Sequence, residues 1–268
     1  MTTAAPRLED VTPIRLDGRG VVILGAGGGG IGTILARILA AAGARLLCVD
    51  VDPALAQAVA DEVGGEAYAA DITDRVQMEG LFARADALFG RSFYGLADIV
   101  GLTISGRMEE QDDGVIDRTL DMNLRHAILA VQIAAPMLAK RGGGSMVFVS
   151  SLSGSNATPG AGLYSIAKAG LEQLVRQAAF DYGPSGVCVN AVAPGLTLTP
   201  TVSVQLVPAF VDAVAATIPL RKLGASQDQS NAIYFLLSDL ASHVSGSVIH
   251  VDGGQLTGAN LPDFQKGT

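Results

Sequence analysis

Apolar residues recur along the chain in two alternating rhythms. Short continuous runs, such as VVIL at 21–24, read as strands buried on both faces, and runs with an apolar residue every third or fourth position read as helices. Ile31, Leu35, Ile38, Leu39 and Ala42 repeat at helical spacing until Gly43 stops them. Further strands are expected at 45–49, 66–70, 97–104, 145–149, 187–192 and 247–251. Between them the pattern predicts helices at 53–63, up to about Phe89, from about Asp112 to Ala139, and at 163–182 and 227–237. A short helical excursion is expected at 200–219. Strand and helix alternating in this way require crossovers. The fold class is therefore α/β: a single-domain, Rossmann-type, doubly wound sheet of seven mainly parallel strands with helices on both faces.

Composition agrees with that picture and narrows the partners. The 268 residues are 49% hydrophobic and 16% charged, enough for one large core. A net charge of −8 offers no basic surface for nucleic acid. No apolar run reaches the length of a membrane span, and MTTAAPRLEDVTPIRLDGRG carries acids and prolines where a signal peptide would be apolar. A cytoplasmic protein with a small-molecule substrate is expected. Cys48 and Cys188 sit inside apolar strands and read as core residues. His126, His243 and His250 lack ligand spacing, so no metal is expected.

The run LGAGGGGIG, Leu24 to Gly32, follows the first strand and opens the first helix. A flexible linker does not belong there. Glycine at such a junction permits a tight turn and lets backbone N–H groups approach a pyrophosphate. G-x-G-x-x-G occurs twice, as Gly25/Gly27/Gly30 and as Gly27/Gly29/Gly32, with Ile31 beside the last pair. Asp50 ends the second strand, where a carboxylate accepts the adenosine ribose hydroxyls and repels a 2′-phosphate. No Arg or Lys lies in the glycine run or directly after Asp50, so NAD is expected over NADP. Asp71 and Ile72, after the third strand, are expected beside the adenine.

The chemistry points to Y-S-I-A-K, which sets Tyr164 and Lys168 one helical turn apart on one face. A phenol is a poor base at neutral pH, and lowering its pKa by about three units requires roughly 4 kcal/mol of differential stabilisation. An adjacent ammonium supplies part of this and makes Tyr164 a proton donor or acceptor for an alcohol/ketone pair. Around the pair lie G-G-S-M-V-F-V-S-S-L-S-G, with Ser151 thirteen residues before Tyr164, L-D-M-N-L with Asn123, N-A-V-A-P-G-L-T-L-T and V-I-H-V-D-G-G.

With these motifs in this order, the chain resembles the short-chain dehydrogenase/reductase family over nearly its whole length. The resemblance implies a catalytic set of Asn123, Ser151, Tyr164 and Lys168. Ser151 would polarise the carbonyl and Tyr164 transfer the proton, with Lys168 on the nicotinamide ribose and Asn123 supporting a water relay. Pro194, Gly195 and Thr199 fit the family's P-G-x-x-x-T segment, whose Thr contacts the nicotinamide carboxamide, and Thr103 and Thr197 are added as cofactor contacts. The family's long helices and last strand imply a homotetramer.

Two departures accompany the resemblance. The family's G-x-x-x-G-x-G is absent, and the glycine turn carries one residue more. The family's N-N-A-G after the fourth strand is expected at Leu102, Thr103, Ile104 and Ser105, where its strand-tying Asn is missing. Residues 1–17 read as an extension and 196–225 as a substrate lid. With Ser153, Leu196, Val202 and Leu206 facing the substrate and no cation between Gly195 and Ile218, a neutral, largely apolar secondary alcohol or its ketone is expected. The alternatives are an NADPH-dependent carbonyl or 3-oxoacyl-type reductase and a catalytically inactive nucleotide-binding member of the family.

Overall fold

A computed structural model describes residues 14–204 and 206–258. Most of the expected 1–17 extension lies outside the described residues. Seven strands form one sheet in the order β3-β2-β1-β4-β5-β6-β9, and every neighbouring pair is parallel. The strands are β1 (Gly20–Leu24), β2 (Arg45–Asp50), β3 (Glu66–Ala69), β4 (Phe93–Asp98), β5 (Gly144–Val149), β6 (Val187–Pro194) and β9 (Val248–Val251). The linking helices are α1 (Ile31–Ala41), α2 (Pro53–Val63), α3 (Arg75–Phe89), α4 (Asp113–Leu120), α5 (His126–Ala139), α7 (Gly162–Tyr182) and α10 (Ser226–Leu236). Among the described residues no helix is long and apolar enough to cross a membrane.

Each central strand is buried on both sides, which explains its unbroken apolar run. Val22 and Leu24 of β1 enter one core with Phe82, Phe93, Leu129 and Val175, whereas Val21 and Ile23 enter the other with Leu35, Leu39, Ile233 and Leu236. Helix starts follow local chemistry. Asp52, Asp74 and Asp112 cap α2, α3 and α4 by accepting backbone N–H groups, and Gly64 ends α2 in the left-handed region.

Three features differ from the sequence expectation. β4 spans Phe93–Asp98 and not 97–104. Its neighbours decide this: β1 ends at Leu24, opposite Asp98, and turns into the glycine run, so the apolar stretch beyond Ile99 has no ladder to join. That stretch lines a cleft instead. The long helix expected from 112 to 139 is interrupted by a π-helical turn, Asp121–Arg125. The lid is bracketed by a two-residue parallel pair, β7 (Thr197–Leu198) with β8 (Gly224–Ala225), and carries α8 (Pro200–Ser203) and α9 (Pro208–Thr217).

Candidate active site

The sheet order reverses its winding between β1 and β4, and a cleft of about 570 Å³ opens at their carboxyl ends. Gly25, Gly27, Gly30, Ile31, Gly32, Asp50, Asp71 and Ile72 all line it. The surplus glycine has a clear place. Gly28 and Gly29 are consecutive left-handed residues, with φ of +78° and +70°, and a side chain is rarely tolerated in that conformation. Gly32 is required for another reason: a Cβ there would collide with the carbonyl oxygen of Gly25. Thr33, which the sequence reading missed, accepts the Gly29 N–H at 3.0 Å and donates to the Ala26 carbonyl at 2.8 Å. It ties the lengthened turn to α1.

Unlike α2, α3 and α4, α1 has no capping side chain. Its first N–H groups are left for an anion. The Asp50 carboxylate accepts the N–H groups of Gly27 at 3.0 Å and Asp52 at 3.1 Å, which fixes it at the rim. Asp71 spends one carboxylate oxygen on its own loop, accepting the Thr73 N–H and hydroxyl. Arg118 and Met122 also face this cleft, although nothing in their local sequence marked them.

A second cleft of about 660 Å³ joins the first at Ile31, Ile99, Gly101 and Thr199. Ser151, Ser153, Tyr164, Lys168, Pro194, Gly195, Leu196, Thr197 and Val202 line it. Thr103, expected on the cofactor, lies on this side with Tyr164, Lys168, Pro194, Gly195 and Thr197. Leu206 does not line it. It precedes Val207, the N-cap of α9, and the lid presents Phe210 from the helix proper.

Ser151 begins α6 (Leu152–Ser155), and its hydroxyl accepts the Ser153 N–H at 3.1 Å. Lys168 is buried, with Nζ 5.6 Å from the Tyr164 ring centroid and donating to the Val149 carbonyl at 2.8 Å. Burial draws the Lys168 pKa down to about 8, and the Asp98 charge opposes that fall. Burial likewise raises the Tyr164 phenol above its ordinary value, opposed by hydrogen bonding from the Ser151 and Thr103 hydroxyls.

Asn123 sits in the π turn, and its amide is committed to backbone. Nδ2 donates to the carbonyls of Leu102 (2.7 Å) and Thr119 (2.9 Å), and Oδ1 accepts the Leu102 N–H (3.0 Å). The side chain therefore holds the loop after β4 and does not line either cleft.

The end of β4 also corrects the position of the second departure. Because the strand stops at Asp98, the tetrapeptide at its end is Asp98-Ile99-Val100-Gly101, four residues before the expected Leu102–Ser105. Its last glycine is retained, and a Cβ there would lie 3.0 Å from Lys168 Nζ and 3.1 Å from Asn123 Oδ1. A buried acid, Asp98, stands at the first position.

Comparisons with known proteins bear on the family and the fold. A family model described as enoyl-(acyl carrier protein) reductase matches residues 25–255. The 7alpha-hydroxysteroid dehydrogenase of Escherichia coli (strain K12) is 35% identical over 249 residues, covering 90% of this chain and 95% of that protein. The cis-4-hydroxycyclohexanecarboxylate dehydrogenase of Sinomonas cyclohexanicum is 36% identical over 242 residues, covering 88% and 96%. A solved structure of 7 alpha-hydroxysteroid dehydrogenase complexed with NADH and 7-oxo glycochenodeoxycholic acid superposes with a TM-score of 0.85 at 33% identity, covering 92% of this chain and 97% of that one.

Proposed function

This chain belongs to the short-chain dehydrogenase/reductase family, and from that premise we propose that it is an NAD-dependent oxidoreductase interconverting a neutral, largely apolar secondary alcohol and its ketone. The observation that carries the reading is the meeting of two clefts. Ser151, Tyr164 and Lys168 line the substrate side where it joins the glycine-lined side.

The residues of the first cleft suit a dinucleotide. The uncapped start of α1 and the Gly28–Gly29 turn would hold a pyrophosphate, Asp50 the adenosine ribose, and Asp71 and Ile72 the adenine edge. Thr199, common to both clefts, would meet the nicotinamide end. The bound nicotinamide supplies the hydride donor or acceptor. The chain's own residues handle the proton and the developing charge. The Ser151 hydroxyl donates to the substrate oxygen, and Tyr164 gives or takes the proton at that same oxygen. Lys168, anchored on the Val149 carbonyl, holds the ribose and places its positive charge beside the ring. Asn123 positions the Leu102 loop and, through its π turn, the helix behind it.

Polarity supports the substrate class. Among the described residues lining the substrate side, Lys168 is the one charged side chain, and it is already bonded to backbone. A buried carboxylate or phosphate would find no cation there besides Lys168, which the reaction already engages. We further propose a homotetramer, in keeping with the exposure of Ile166 and Phe180 on α7. The test of function is an NAD-coupled screen over cyclic and aliphatic secondary alcohols with matched anionic analogues. Turnover of neutral alcohols with NAD is expected, and a clear preference for anions or for NADP would overturn the reading.

A further inference from the structure

Behind the catalytic lysine lies a buried pair that the reaction as described does not use. Asp98, the last residue of β4, and His126, the first of α5, have side chains 2% exposed, with Nε2 3.1 Å from Oδ2. The contact is close but not collinear with a ring N–H, since Oδ2 makes no aligned hydrogen bond. His126 Nδ1 lies 3.1 Å from the main-chain carbonyl of Asp121, which can only accept, so this nitrogen carries its proton. Both ring nitrogens thus face oxygen acceptors. The Nε2 edge of the ring lies against the Asp98 carboxylate, where an imidazolium would offset its charge.

The position of the pair gives it leverage. Asp98 Oδ1 accepts the Val100 N–H at 3.1 Å and so shapes the turn to Gly101, where an added Cβ would meet Lys168 Nζ and Asn123 Oδ1. His126 follows Asn123 by three residues and bonds the first carbonyl of the π turn that contains it. We propose that Asp98 and His126 are positioning residues of the active site: they bolt the end of β4 to the π turn carrying Asn123, and they set a balanced carboxylate within coulombic reach of Lys168. The inference rests on the dehydrogenase reading for its catalytic meaning but not for its electrostatics.

The charged and titratable groups around it are few. Lys168 faces Asp98 from β4 and Tyr164 from its own helix. Asp98 faces His126 from α5 and Lys168 from α7. Glu172, one turn beyond Lys168, is occupied by the Ser150 and Ser155 hydroxyls. Removing the carboxylate and removing the imidazole should therefore move Lys168 in opposite directions. Asp98→Asn keeps an acceptor for Val100 and offers an amide N–H to Nε2, so the bolt survives without the charge. His126→Gln keeps the charge and removes the group that balances it.

The test is ¹³C NMR titration of the full chain labelled at lysine Cε. The chain has four lysines, Lys140, Lys168, Lys222 and Lys266, and a Lys168→Arg variant identifies the resonance. That resonance is expected to titrate near 8 in the parent protein. It should fall by about one unit in Asp98→Asn and rise in His126→Gln, with the alkaline limb of kcat moving the same way in each. If Asp98→Asn does not fold, the sign of the His126→Gln shift decides alone. No movement, or movement of both folded variants in one direction, would overturn the proposal. Expected shifts in a protein that oxidises no alcohol would instead overturn the dehydrogenase reading and leave the pair standing. Robust oxidation with an unmoved lysine would do the reverse.

Discussion

The two halves of the cleft are built from different materials. On the glycine side, backbone groups and short side chains are held by specific hydrogen bonds: Asp50 to Gly27 and Asp52, Thr33 to Gly29 and Ala26. On the lid side, α9 buries no side chain, and Val204, Val207 and Phe210 are 85%, 64% and 47% exposed. The glycine side is preformed, so a ligand there meets its partners with little reorganisation. The lid side holds apolar surface in reserve, to be covered when a ligand arrives. The chemical groups line the lid-side cleft, but from its fixed wall, on α7 and just past the end of β5, where a reacting geometry can be kept.

If the fixed wall of the lid-side cleft carries the chemistry, the largest loss comes from its phenol. Tyr164→Phe keeps the packing but has no transferable proton, so turnover should drop by about a thousandfold while NAD affinity, read by calorimetry, holds. Substantial turnover in this variant would move the chemistry elsewhere.

Lys168→Met tests the electrostatic cost of that rigidity. The lysine's folded pKa, about 8, lies below the ordinary lysine value of 10.5, so the fold disfavours its charged form. The sign follows: the penalty is complete below pH 8 and disappears as pH rises through the unfolded value. Relative to Lys168→Met, the parent protein should therefore gain up to about 3 kcal/mol of stability between neutral pH and pH above 10, measured by denaturant unfolding. A parallel pH dependence in the two proteins would place the ammonium in a wetter site than its burial indicates.

Asp50→Ala probes the preformed rim. NAD affinity should fall about tenfold or more, the scale of a lost charge-assisted hydrogen bond, and the gap to NADP should narrow. Tighter binding of NADP than NAD by the parent protein would refute the role given to this carboxylate.

The smallest effect is expected on the lid. Phe210→Ser should lower kcat/KM for apolar alcohols by only about three- to tenfold, mostly through KM, because loosely packed surface contributes little per residue. A collapse of kcat would show that the lid also assembles the catalytic geometry.

The sequence made the glycine-lined side legible because its constraints are local. A glycine run between strand and helix, and an acid at the next strand end, are demanded by backbone geometry within a few residues. Tyr164 and Lys168 were marked by their spacing along one helix, and Ser151 by the family resemblance; the fold brings all three to one cleft. Arg118, Met122 and Thr33 were not, since only packing turns them toward the cleft or the turn. The apolar run after Ala97 misled for a related reason. Hydrophobicity marks what will be covered, not whether a strand or a ligand will cover it.

What the residues determined by themselves was the alternation of strand and helix, the turn chemistry and the kinds of side chain available for reaction. Those depend on interactions between near neighbours. Where β4 stops depended on the lengths of β1 and β5, which lie far from it in sequence. That stop puts Asp98 against His126, and Gly101 against Lys168 and Asn123. Strand register is a contest among distant segments for the same hydrogen-bond ladder, and only the folded sheet resolves it.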